Sequence, residues 1–95
     1  MEHSKTITLY STISQDLLAQ VNFVISKHEQ HKPLEKALMK LQLQLRKYSK
    51  FVDNELNEKF TLMDNTIIQF HQENISEEIL ITELNEFTEI LSKRK

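Results

Sequence analysis

The chain predicts an all-α fold, an antiparallel up-and-down bundle of three to four helices in a single domain, 1–95. Three observations carry this reading. Leu34, Leu38, Leu41, Leu45, Tyr48 and Val52 follow one another at spacings of 4, 3, 4, 3 and 4, which is the seam of a helix packed along another helix. There is no glycine and only one proline. Tight β-hairpins favour glycine, so a glycine-free chain points to helices joined by short polar loops. Short connections in turn favour antiparallel neighbours.

The first helix is expected to begin between Lys5 and Ser11 and to end near His28. Tyr10, Ile13, Leu17, Val21 and Val24 make its stripe, which Leu18 and Ile25 widen. The β-branched run Thr6-Ile7-Thr8 weakens its start. Ser14-Gln15-Asp16 resembles an N-cap with an early acid and suggests a break there. Glu29 to Lys32 form the first connection, and Pro33 suits the first position of the next helix, where its missing N–H is not needed.

The seam helix follows, with Met39 and Phe51 beside the seam and lysines on another face. Its apolar pattern continues through Leu56, Phe60, Met63, Ile67 and Phe70, and a continuous helix absorbs such a stutter. Two readings stay open: one helix of about forty residues, or two helices with a break around Asn57 to Thr61. The break is favoured because helices usually run about 8–20 residues, and because Thr61 with Asp64 imitates a capping box. The last connection is Asn74-Ile75-Ser76. Ser76-Glu77-Glu78 then opens a helix with acid in its first turn. Leu80, Leu84, Phe87 and Leu91 form its seam, and Lys93, Arg94 and Lys95 complement its C-terminal dipole.

Size and composition bound the function. At 95 residues, a chain buries only about 60–65% of its unfolded surface, which leaves little room for a deep site. Hydrophobic residues at 39% and charged ones at 27% are ordinary for a globular domain and too apolar for a disordered one. Without cysteine there is no disulfide, thiol nucleophile or thiolate zinc site. Without glycine there is no P-loop, dinucleotide fingerprint or nucleophile elbow. Met1 to Thr8 lack the apolar run of a signal peptide, and no stretch nears the roughly 18 apolar residues that span a bilayer. A cytoplasmic protein is therefore expected.

The net charge of −2 is unevenly placed. Residues 1–50 hold eight Lys/Arg and four Asp/Glu, and residues 51–95 hold four and ten. The halves could pair within the fold or offer differently charged faces to partners. Lys36, Lys40, Lys47 and Lys50, with Arg46 nearby, form the candidate partner surface. Overall acidity and the lack of a reading motif argue against nucleic acid. An acidic protein or a peripheral contact with an anionic membrane remain as partners, beside a plainly solvated face.

His28 and His31 could share a metal, but the zincin pattern needs histidines four apart, so a polar helix end is the simpler reading. Glu77, Glu78, Glu83, Glu86 and Glu89 read as the solvated face of an amphipathic helix rather than an acid–base pair, which needs opposed carboxylates in different environments. No catalytic residue, cofactor or small-molecule substrate is expected.

Some stretches resemble a known family. Leu9-Tyr10-Ser11-Thr12-Ile13-Ser14 looks like the start of pediocin-like (class IIa) bacteriocin immunity proteins. Pro33-Leu34 with the leucines through Leu45 and then Tyr48 is similar to their third helix. Phe60-Thr61 with Ile67 and Ile68 is similar to the start of their fourth. The chain departs from the family in the short span from Tyr10 to Pro33 and in the strong helix after Ser76. The resemblance implies a four-helix bundle without catalytic residues. It also implies a role in protecting a producer cell, by acting with a bacteriocin-bound membrane receptor, a mannose phosphotransferase permease. It places partner discrimination in the C-terminal half. The expected function is thus non-enzymatic protein binding, with bacteriocin immunity its most concrete form. The alternative is a small helical adaptor of a larger coiled-coil assembly, which a continuous helix from Pro33 to about Glu73 would favour.

Overall fold

Each helix buries one apolar side chain every three or four residues. The buried apolar positions are Ile13, Leu17, Val21 and Val24; Leu34, Ala37, Leu38, Leu41 and Leu45; Leu56, Phe60, Met63 and Ile67; and Leu80, Leu84, Phe87 and Leu91. They merge into one core. A computed structural model describes residues 2–93, with side chains described from Leu9 onward. Its elements are α1 (Glu2–Glu29), α2 (Glu35–Tyr48), a 3₁₀ turn (Ser49–Phe51), α3 (Asn54–His71) and α4 (Glu77–Lys93). Arg94 and Lys95, expected to complement the α4 dipole, lie outside the described residues.

The helices close into a square. α1 packs on α2 and α4, α3 packs on α2 and α4, and among the described residues the backbones of neither diagonal pair come within 8 Å between Cα atoms. Side-chain bonds show the antiparallel order. Asp16 meets Tyr48 while Gln20 meets Ala37, so α2 descends as α1 rises. Ser49 meets Asn57 while Gln42 meets Asp64, so α3 rises again. His28 at the end of α1 meets Glu77 at the start of α4. The expected up-and-down bundle is the observed fold, with four helices. In the core, Phe60 and Phe87 pack edge to face at 5.8 Å between centroids, a geometry that aligns ring edge with ring face electrostatically.

Several local expectations are corrected. The long helix is two, and the break lies at 49–53, ahead of Asn57 to Thr61. Asp53 has extended backbone and accepts a hydrogen bond from the Leu56 N–H at 2.8 Å, so it is the N-cap of α3. Asn57 sits inside α3 and reaches back to the Ser49 carbonyl at 2.8 Å. The Thr61–Asp64 box does not form, because the Thr61 hydroxyl donates to the Asn57 carbonyl and Asp64 faces α2. Val52 leaves the seam for the turn, and Phe51 is exposed there. Pro33 precedes α2 rather than opening it, since Leu34 is the N-cap and its carbonyl accepts from Leu38. There is no break at Ser14, which is buried mid-helix beside Ile13 on the core face. The backbone of α1 starts at Glu2, ahead of the expected Lys5 to Ser11. At about 42 Å this helix accounts for the 45 Å long axis.

The chain must still reverse direction without glycine. His31 and Glu73 take the left-handed conformation, at φ 57° and 62°. Around Glu73, the Glu73 N–H bonds to the Phe70 carbonyl and the Asn74 N–H to the Gln69 carbonyl. Around His31, the His31 N–H bonds to His28 and the Lys32 N–H to Lys27. Both are Schellman closures, with a side chain at the position glycine usually takes.

Two outcomes are expected. Leu41→Asp places an unpaired carboxylate in the fully buried seam at a cost of several kcal/mol. It should abolish the cooperative melt seen by far-UV circular dichroism, and an unchanged helicity and Tm would refute the seam. Glu73→Gly relieves the left-handed strain and should stabilise the bundle by about 0.5–1 kcal/mol. That is a rise of roughly 3–8 °C in Tm; a fall would show that the closure is unstrained.

Candidate functional site

Three of the four lysines, Lys36, Lys40 and Lys47, stand on α2, and Lys50 follows in the 3₁₀ turn. Lys36, Lys40, Lys47 and Lys50 are all exposed, and so are Met39 and Leu43, at 57% and 66%. With 100° between residues, Ala37, Leu41, Gln44 and Tyr48 turn toward α1. Gln42 and Arg46 turn toward α3, where Asp64 accepts from Gln42 at 3.0 Å and from Arg46 at 3.4 Å. The crest between them is left with Lys36, Met39, Lys40, Leu43, Lys47 and Lys50. Met39 therefore lies among the lysines, away from the seam it was expected to flank.

Two shallow grooves border the helices. Between α1 and α2 a groove of about 500 Å³ is lined by Gln20, Phe23, Lys27, Lys36, Ala37 and Lys40. Gln20 is buried and donates to the Ala37 carbonyl at 2.9 Å, so its amide fixes the floor. Lys27 lies over the half-exposed Phe23 ring at 5.1 Å, a cation–π contact. On the opposite side, between α3 and α4, a groove of about 240 Å³ is bordered by Lys59, Leu62, Thr66, Glu83, Glu86 and Ile90. Glu78, Glu86 and Glu89 are exposed on α4. Of the acids expected to form a solvated face, Glu78, Glu83, Glu86 and Glu89 do so, whereas Glu77 is part-buried and bonded to His28.

His28 is not part of a histidine pair. It is hydrogen-bonded to Glu77 at the first turn of α4, while His31 is the exposed left-handed residue of the closure. Among the described residues, no three His, Asp or Glu side chains gather to hold a metal. Among the described residues, no helix is long and apolar enough to cross a membrane.

The charge of the two halves is therefore spent in two ways. A minority pairs inside the fold, as Arg46 with Asp64 and His28 with Glu77. Most of it points outward. The sequence showed the lysine row. It did not show that Met39, Leu43 and Phe23 are exposed beside those lysines; the signal available was that Met39 and Leu43 fall off the 4-3 seam. No protein-family model, curated protein or solved structure matches the chain.

One polar contact near this site titrates. The Tyr48 hydroxyl donates to Asp16 at 2.5 Å, and Lys47 lies over the Tyr48 ring at 5.4 Å. Hydrogen bonding to the Asp16 carboxylate, then burial and charge repulsion, hold the phenol above its ordinary value of 10.0. A raised folded pKa means that the contact stabilises the fold below about pH 10 and is lost as pH rises through the folded value. Ultraviolet titration of a Tyr10→Phe background should place Tyr48 above its ordinary value, and Asp16→Asn should bring it back. An Asp16→Asn midpoint equal to that of the parent would show that the bond does not form in solution.

Proposed function

We propose that this chain acts without catalysis, by binding another protein, and that its concrete role is bacteriocin immunity in the cytoplasm of a producer cell. The observation that carries this reading is the turn at 49–53. An adaptor in a larger coiled coil needs a long seam helix whose partner comes from another chain. Here the seam helix ends at Tyr48 and α3 returns along it, so the chain covers its own leucines. The result is the self-contained four-helix bundle that the resemblance to class IIa immunity proteins implies.

The exterior supports a binding role. Several polar side chains at the helix interfaces are engaged with each other, as Tyr48 with Asp16, Gln42 and Arg46 with Asp64, and His28 with Glu77. What remains is surface of two kinds, a lysine crest on α2 and an acid-bordered groove between α3 and α4. The family places partner discrimination in the C-terminal half, and in this chain that half supplies the α3–α4 groove with the exposed Leu62 at its edge. A groove of this kind takes side chains from a membrane receptor complex or from the peptide bound to it.

Expression in a strain sensitive to class IIa bacteriocins, followed by challenge with a panel of those peptides, tests the reading. Protection against at least one peptide is expected, together with its loss in Leu41→Asp. Full sensitivity to every peptide, with the folded protein present in the cells, would overturn immunity.

A further inference from the structure

The crest of α2 is chemically unlike the rest of the surface. Lys36, Met39, Lys40, Leu43 and Lys47 occupy an arc of α2 of about 100° that contains no acid, and the exposed Lys50 follows in the 3₁₀ turn. The one acid of the helix, Glu35, falls outside the arc, toward α3. The acids that neighbouring helices direct at α2 are engaged, Asp16 by Tyr48 and Asp64 by Gln42 and Arg46. Diagonally across the bundle, α4 turns Glu78, Glu86 and Glu89 to solvent. The molecule is therefore a charge dipole directed from α4 to α2, with two large apolar side chains exposed at its positive end.

We propose that the α2 crest is a docking surface for an anionic lipid bilayer, on which the bundle lies with α2 down and α4 away. Charge complementarity fits α2 to acidic headgroups and repels α4 from them. Lysine stems reach past the apolar residues and keep their ammonium groups among the phosphates, while Met39 and Leu43 enter the headgroup boundary. A protein partner fits this crest less well. Protein interfaces are depleted in lysine, whereas four of the six crest residues are lysines, and the aromatic beside them, Phe23, is half-exposed under Lys27 rather than held in a pocket. The inference stands on the crest itself and does not rest on the immunity reading.

Cosedimentation with vesicles tests it. The protein should bind phosphatidylglycerol–phosphatidylcholine vesicles and not pure phosphatidylcholine, and binding should fall as salt rises past about 0.1 M. Replacing Lys36, Lys40, Lys47 and Lys50 with Gln should lower partitioning on the order of a thousand-fold without changing helicity. Replacing Glu78, Glu86 and Glu89 with Gln should not lower it. The chain has no tryptophan, so Leu43→Trp should shift its emission to the blue on anionic vesicles, while Thr82→Trp on α4 should not. Failure of the folded protein to sediment, parent-like binding by the lysine variant, or a shift from Thr82→Trp would each overturn the proposal. So would binding to native membranes but not to vesicles of their extracted lipids, which would assign the crest to a protein. None of these outcomes depends on the bacteriocin challenge, so each reading can fail alone.

Discussion

The bundle depends on how the chain leaves α2. An apolar stripe that runs in helical register from Leu34 to Phe70 would, as one helix, expose two halves of a seam on a rod of about 60 Å. Two short hydrogen bonds prevent this. Asp53 takes the Leu56 N–H, one of the donors that a new helix leaves unsatisfied, and Asn57 takes the Ser49 carbonyl, one of the acceptors left near the old helix end. Each bond is worth only about 1 kcal/mol net, yet together they satisfy backbone groups that a buried bend could not leave unpaired. Once the chain is reversed, the same leucines that made the stripe are packed between α1, α3 and α4.

The same turn explains what could be read from the sequence. The seam, the number of apolar layers and the Ser76 start of α4 follow from periodicity and capping, and the structure keeps them. The position of the turn was misplaced because periodicity is indifferent to it. Tyr48, Val52 and Leu56 remain four apart, although Val52 is no longer helical. The cap that matters, Asp53, lacks the glutamate or glutamine partner of a capping box, whereas Thr61 with Asp64 imitates one. Ser14 misled for a related reason. A serine that suits a helix start is also small enough to be buried against a neighbouring helix. The left-handed residue Glu73 gave no signal, and His31 only a weak one, since histidine is enriched in that conformation but does not require it.

The candidate surface was half readable. Four lysines at helical spacing are visible in any helical projection. Whether they meet acids from the other half is a question of topology, which charge counting cannot answer. In a square bundle α2 and α4 are diagonal, so their outward faces never meet, and the opposite charges of the two halves become opposite sides of one molecule. Only inward-turned groups such as Arg46 and Asp64 can pair, and a pair with Arg46 this exposed contributes at most about 1 kcal/mol.

Single exposed apolar residues are normal on a domain of this size, and Leu62, Ile79 and Phe51 need no separate account. Met39 and Leu43 differ in their company. They are one helical turn apart on the same crest, with Lys36, Lys40 and Lys47 beside them, while the one acid of the helix, Glu35, borders Met39 from the α3 side. Surfaces designed only for solubility intersperse both signs, and α2 does so nowhere on this arc. A one-sign field around apolar side chains selects partners by charge first and by burial second, which is how an acidic bilayer is recognised. It also fixes orientation. With α2 turned to the lipid, the α3–α4 groove sits on the opposite side of the square, open to a protein that approaches from solvent. Lipid contact and protein binding thus occupy different faces of the same bundle and do not compete.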